Sequence, residues 1–183
     1  WHCGENVVSL EPPILVGILN ATPDSFSDGG EYLEVDAAVN HALEMVEAGA
    51  SIIDVGGEST RPGATRVDEK EQIARVVPVI KALSEICETV ISIDTTLAPV
   101  ARAAIDVGAT IINDVSAGTE DPEIFAVAAS EGTGLVLMHR RLPPDLDSYS
   151  HQYVDEPQSN NITREVCEWL KRRISVAESC GVD

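Results

Sequence analysis

Three features of the sequence predict an α/β protein built on a parallel sheet. Short continuous apolar runs, such as "ILVGILN" (14–20) and "SIIDVGG" (51–57), recur along the chain, as strands do when both faces are covered by helices. Between them lie stretches with apolar residues at helical spacing. Polar clusters then follow the strands: Asn20 to Asp28, Glu58 to Arg61, Asp94-Thr95, Asn113-Asp114 and His139-Arg140.

The elements follow in order. After the strand at 14–20, "VDAAVNHALEMVEAGA" (35–50) reads as a helix ending near Gly49. The strand at 51–57 leads through a polar loop to a helix over 68–86, where Ile73, Val76, Val77, Ile80 and Leu83 form one stripe. Asp68, Glu69 and Glu71 stand in its first turn, where the helix dipole favours acids. Pro78 lies inside it, at a penalty of about 3 kcal/mol in an ideal helix, so a kink is expected there. The strand "VISIDT" (90–95) precedes a helix from Ala98 to Val107, stopped by Gly108. "TIINDV" (110–115) precedes a helix from Pro122 to Ser130, with proline at the start, where its missing N–H does no harm. "GLVLMH" (134–139) is the fifth strand, and a last helix over 162–179 aligns Ile162, Val166, Trp169, Leu170, Ile174 and Ala177.

Active sites sit at the C-terminal ends of parallel strands in closed barrels and in doubly wound open sheets alike. Periodicity therefore leaves both architectures open. Neither G-x-G-x-x-G nor G-x-x-x-x-G-K-[ST] occurs, which disfavours a nucleotide-binding version.

Charge and composition narrow the partners. Acids outnumber bases 31 to 12, for a formal net charge of −19. That argues against nucleic acid, which requires a basic face. A small anion remains compatible, because exposed charges are screened within about 8–10 Å and a few local cations override the global field. No run reaches the roughly 20 apolar residues of a membrane span, and residues 1–13 lack the pattern of a signal peptide. Cys3, Cys87, Cys167 and Cys180 are scattered without C-x-x-C spacing, as in a cytoplasmic protein with reduced thiols.

Two stretches go beyond generic pattern. "NATPDSFSDGG" (20–30) and "GASIIDVGGESTRPGA" (49–64) resemble the two hallmarks of the dihydropteroate synthases, and "SIDT" (92–95) and "INDVSAG" (112–118) resemble that family's next two strand ends. The likeness spans about residues 14–139. It implies a (β/α)8 TIM barrel of the pterin-binding type, of which only about five βα units are present. Residues 1–13 would be a lead-in, and residues 14–183 a partial barrel truncated before strand six. It also implies the condensation of 6-hydroxymethyl-7,8-dihydropterin pyrophosphate with p-aminobenzoate to give 7,8-dihydropteroate and pyrophosphate.

The resemblance assigns roles. Asn20 would meet a Mg²⁺ ion beside the diphosphate, a hard ion suited to a neutral amide oxygen. Thr60 and Arg61 would hold phosphate oxygens, Arg through its planar fork of donors. Phe26 and Pro62 would wall the aminobenzoate ring, with Asp28 near the incoming amine. Asp94 and Asn113 would read the pterin edge, and Met138 would pack beside it. By residue type alone, Asp94 reads first as the N-cap of the following helix; Asp54 also matches a family carboxylate and is read as structural support for the second loop. Arg140 and Arg141 read as phosphate-proximal charge or as solvated surface, and His139 as a hydrogen-bonded residue at a strand end.

The family's later pterin aspartate, lysine and Arg-x-His pair have no counterpart in the sequence, so the chain is expected to be a fragment, inactive alone, of a parent that pairs as a homodimer. The parent is expected to be sensitive to sulfonamides, which mimic the aminobenzoate. A corrinoid-dependent pterin methyltransferase and a non-catalytic pterin-binding homologue are the alternatives. "DSFSDGG" and "STRPG" disfavour the methyltransferase, which has no diphosphate to bind.

Overall fold

The computed structural model describes residues 1–21, 31–154 and 158–183. The chain opens with two short antiparallel strands, β1 (His2–Cys3) and β2 (Asn6–Val7). The main sheet contains β3 (Leu15–Asn20), β4 (Ala50–Gly56), β5 (Val90–Asp94), β6 (Ile111–Asp114) and β7 (Gly134–Leu137). Helices α1 (Glu31–Glu47), α2 (Glu69–Ile86), α3 (Ala98–Ile105) and α4 (Glu123–Glu131) connect them, and α5 (Ile162–Ser179) follows β7.

The strand order decides between the two architectures. All four pairings are parallel, and the strands stand in chain order, β3-β4-β5-β6-β7. A doubly wound sheet reverses its order at a switch point; this sheet never does. It is the arc of a (β/α)8 barrel, with α1 to α4 each packed beside the next on the outside.

Local chemistry explains the boundaries. Asp68 caps α2 by accepting the Glu71 N–H at 2.9 Å, and α2 continues through Pro78 rather than ending there. Asp94 is not the cap of α3. That position belongs to Leu97, whose N–H reaches the Thr95 hydroxyl at 3.2 Å, while Asp121 accepts the Ala98 N–H at 2.8 Å. Pro122 itself precedes the first turn of α4. Helix α5 has the expected span, with Asn161 accepting the Arg164 N–H. Its apolar stripe is only partly covered: Ala177 is buried, whereas Ile162 and Ile174 are exposed.

Alternation sorts the strands' side chains. Leu19, Ile53, Val55, Ile91, Ile93 and Ile112 join Val76, Ile80 and Leu83 of α2, Val100 and Ala104 of α3, and Phe125 of α4 in one core. Truncating Phe125, which is fully buried, would cost about 3–5 kcal/mol by the usual penalty for such a cavity. The other face is concave. At its N-terminal end Cys3 and Val8 pack on Ile52 and Ile111, and a side chain at Gly134 would strike the Cys3 sulfur and the Trp1 ring. The terminal hairpin thus plugs one end of the arc, leaving the strands' C-terminal ends open.

Candidate active site at the strand C-termini

Register sets the site. Asn20 pairs with Gly56, Gly56 with Asp94, and Asp94 with Asn113, forming one level across four strands. One level below, Asp54 pairs with Ile18 and Ser92. Gly56 leaves the space between its neighbours open, since a Cβ there would lie 3.5 Å from the Asp94 Cβ and 3.7 Å from Asn20 Oδ1. Asn113 Nδ2 donates to Asp54 Oδ2 at 2.8 Å, tying the two levels together. Asp54 therefore faces the cavity, not merely the base of the second loop.

The loop after β4 forms the opposite wall. Pro62 and Gly63 occupy the corners of a turn closed by the Ala64 N–H on the Arg61 carbonyl at 3.1 Å. Gly63 has φ +79°, the left-handed value a type II turn demands at its third position. Its N–H also donates to the Pro144 carbonyl at 2.7 Å, docking the segment after β7 against the turn. Thr60 and Arg61 are exposed and Pro62 is half-buried. The open cavity measures about 930 Å³, and its lining includes Asn20, Asp54, Thr60, Arg61, Asp94 and Asn113.

The floor is electrostatically loaded. Burial, and then the charges of Asp54, Asp114 and Glu58, push the Asp94 carboxyl up to about 7. Asp94 Oδ1 is buried without a hydrogen-bond partner among the described residues. Burial also raises Asp54, against the pull of Ser92 and Asn113. Asp114 is likewise raised by burial, although it accepts the Ser116 and Gly118 N–H groups at 2.7 and 2.5 Å and so folds the loop after β6. An unpaired buried acid is expensive to maintain. A ligand edge with two parallel donors would answer it.

Of the residues singled out from the sequence, Asn20, Thr60, Arg61, Pro62, Asp94 and Asn113 converge on this cavity. Met138, just past β7, is 42% exposed and does not line it. Phe26 and Asp28 lie outside the described residues. His139 packs edge-on against Trp169, ring centroids 5.0 Å apart. Arg140 is not solvated surface: its side chain is only 12% exposed and is ion-paired with Glu120.

Glu120, Arg66 and Thr96 were not legible in the sequence as a group. Glu120 accepts two 2.8 Å bonds from Arg66, 54 residues earlier, together with bonds from Thr96 and Arg140. Glu58 completes the group, accepting the Val67 N–H at 2.6 Å and facing Arg66 Nε at 3.2 Å. No periodicity marks such long-range pairs. Tyr149, also missed, reaches the cavity on the segment after β7. No cluster of three or more His, Cys, Asp or Glu able to hold a metal occurs among the described residues, and no helix among them is long and apolar enough to cross a membrane.

Known proteins resemble this chain in sequence and in fold. The dihydropteroate synthase of Mycobacterium leprae is 48% identical over 176 residues, covering 96% of this chain and 60% of the relative. A Yersinia pestis dihydropteroate synthase, solved as a sulfonamide drug complex, superposes with a TM-score of 0.86 at 36% identity, covering 100% of this chain and 64% of that one. The Xanthomonas albilineans enzyme, solved with 4-aminobenzoic acid, gives 0.85 at 41% identity, covering 99% and 62%. The chain thus spans about 60% of the length of the curated relative it matches. The profile of the pterin binding enzymes matches residues 16–183, and the chain belongs to that family.

Proposed function

We propose that this chain carries the pterin and diphosphate half of a dihydropteroate synthase active site, whose parent joins 6-hydroxymethyl-7,8-dihydropterin pyrophosphate to p-aminobenzoate with release of pyrophosphate. The observation that carries this is the unpartnered Asp94 Oδ1 on the cavity floor, with Asn113 beside it and Thr60 and Arg61 at the mouth. A pterin offers an N–C–N edge with parallel donors to Asp94 and a mixed edge to Asn113, whose amide both donates and accepts.

Cleavage of the bond between the pterin methylene and the diphosphate leaves positive character on carbon and negative charge on the leaving group. The floor, with Asp54 and Asp94, is acidic; the cation available for the leaving group stands at the mouth, where Arg61 supplies a fork of donors. This separation orients the substrate, ring inward and phosphates outward, before any bond breaks. Asn20 Oδ1 projects beside Gly56, a hard neutral donor fitting one position of a Mg²⁺ ion whose other ligands are water and phosphate oxygens. When bound, that ion would neutralise part of the leaving charge. Pro62, with Phe26, would wall the aminobenzoate, and Asp28 would stand near its amine. The same reading makes the parent a cytoplasmic homodimer and a sulfonamide target, in keeping with the Yersinia pestis complex.

Calorimetry on this chain tests the reading. The pterin pyrophosphate should bind with Mg²⁺ present, and Asp94→Asn should weaken it at least about tenfold, as loss of a charged acceptor does. A folded chain with no pterin affinity would refute the assignment.

A further inference from the structure

We infer that Glu120 is a positioning residue that clamps the β4–α2 loop in the conformation that presents Thr60 and Arg61 to the phosphates. The inference rests on the phosphate role proposed above for those two residues, and it adds a residue from outside the cavity.

Glu120 stands after β6, yet its carboxylate joins segments from three other strand ends. Arg66, on the far side of the loop, gives it two 2.8 Å bonds in a bidentate fork. Thr96, two residues beyond Asp94, donates its hydroxyl, and Arg140, past β7, contributes a further guanidinium bond. Arg66 in turn faces Glu58 at 3.2 Å, and Glu58 holds the Val67 N–H at 2.6 Å. Residues 58 to 67 are thus gripped at both ends by one alternating chain of charges, Glu58–Arg66–Glu120–Arg140. Neither Arg66 nor Glu120 lines the cavity, so their effect on a ligand runs through the loop.

The cluster is built to be ionised. Burial works against the charge of Glu120, but Arg66, Thr96 and Arg140 outweigh it and hold the carboxyl at about 2. Its side chain is 19% exposed, so the forks are only lightly screened. Without the carboxylate, two guanidiniums would face each other in the same space. Their repulsion would push Arg66 outward and carry the loop with it.

Three measurements on the chain test this. In Glu120→Gln, amide exchange at Gly63, Ala64 and Val67 should quicken about tenfold or more as the loop opens more often, with the β5 and β6 amides unchanged. Inorganic pyrophosphate with Mg²⁺ should bind about tenfold more weakly, while a pterin alcohol without phosphates binds within about twofold of wild type. Glu120→Asp, which keeps the charge, should restore most of both losses. If Glu120→Gln does not fold, Arg66→Lys removes the fork while keeping the charge, and the same exchange readout applies. Unchanged exchange, or pyrophosphate binding as tight as wild type or tighter, would overturn the inference. Equal weakening of pterin and pyrophosphate would also overturn it, since that marks general loosening. A wild-type chain that binds neither probe refutes the proposed function instead, and exchange still decides whether Glu120 holds the loop.

Discussion

A carboxyl group held at about 7 in a closed floor makes stability and ligand affinity respond to pH in opposite directions. The folded value of Asp94 lies above the unfolded value of 3.8, so the native state binds its proton more tightly. Its contribution to stability is complete below about pH 4 and is lost as pH rises through 7. The difference amounts to about 4 kcal/mol at most, at about 1.4 kcal/mol per unit. Asp94→Asn should therefore raise unfolding stability at pH 8 by a few kcal/mol and change it little at pH 4, as urea titrations at the two values would reveal. Equal effects at both would refute the burial argument. Pterin binding runs the other way. The bound edge favours the carboxylate, so affinity should fall as pH drops below 7, with a proton released on binding. From residue type alone Asp94 reads first as a helix cap, because its orphaned oxygen depends on neighbours such as Gly56 and Asn113, which arrive on other strands.

At the scale of the element, two loops carry the geometry, and each turns on a glycine for a different reason. Gly63 needs only its φ of +79°, and a Cβ there would meet nothing within 4 Å. Gly118 has φ +70°, and a Cβ would also lie 2.5 Å from the Phe125 ring and 3.0 Å from Arg173 Nη2. Gly63→Ala should thus cost about 1 kcal/mol, the conformational penalty alone, whereas Gly118→Ala should cost about 3 kcal/mol by adding a clash with a fully buried ring. Denaturation midpoints would check the order, and equal losses would contradict it. The helices were more legible than these loops. The stripe and first-turn acids of α2, and the 162–179 span of α5, reflect local rules that act within a few residues. What packs on a stripe does not: α5 is tied to the loop after β6 by Arg173, which donates to the Ala117 carbonyl at 2.7 Å and lies over the Phe125 ring, while Ile162 and Ile174 of its apolar stripe are exposed.

For the molecule as a whole, the apolar runs predicted strands covered on both faces, and the structure bears this out only in the middle of the sheet. The inner strands β4 and β5 are buried along nearly their whole length. On β3, Leu15, Val16 and Ile18 are 61%, 50% and 66% exposed, and on β7 Val136 is 40% exposed. Among the described residues, each of these strands has a partner on one side only. The runs encode a sheet with more neighbours than these residues supply, in keeping with relatives of which the chain spans about 60%. An unpaired apolar strand edge is a template for pairing with another chain, and clustered exposed apolar side chains add to the drive. The 183-residue chain should consequently self-associate at micromolar concentration despite a net charge of −19, more so at high salt, where repulsion between copies is screened. Leu15→Lys sets a charge on the open edge of β3, away from the cavity, and should shift sedimentation toward the monomer while leaving pterin affinity unaltered. A wild-type chain that sediments as a monomer in both low and high salt would show that the edges are protected by their own twist and charge, and that the exposed face of β3 drives no association.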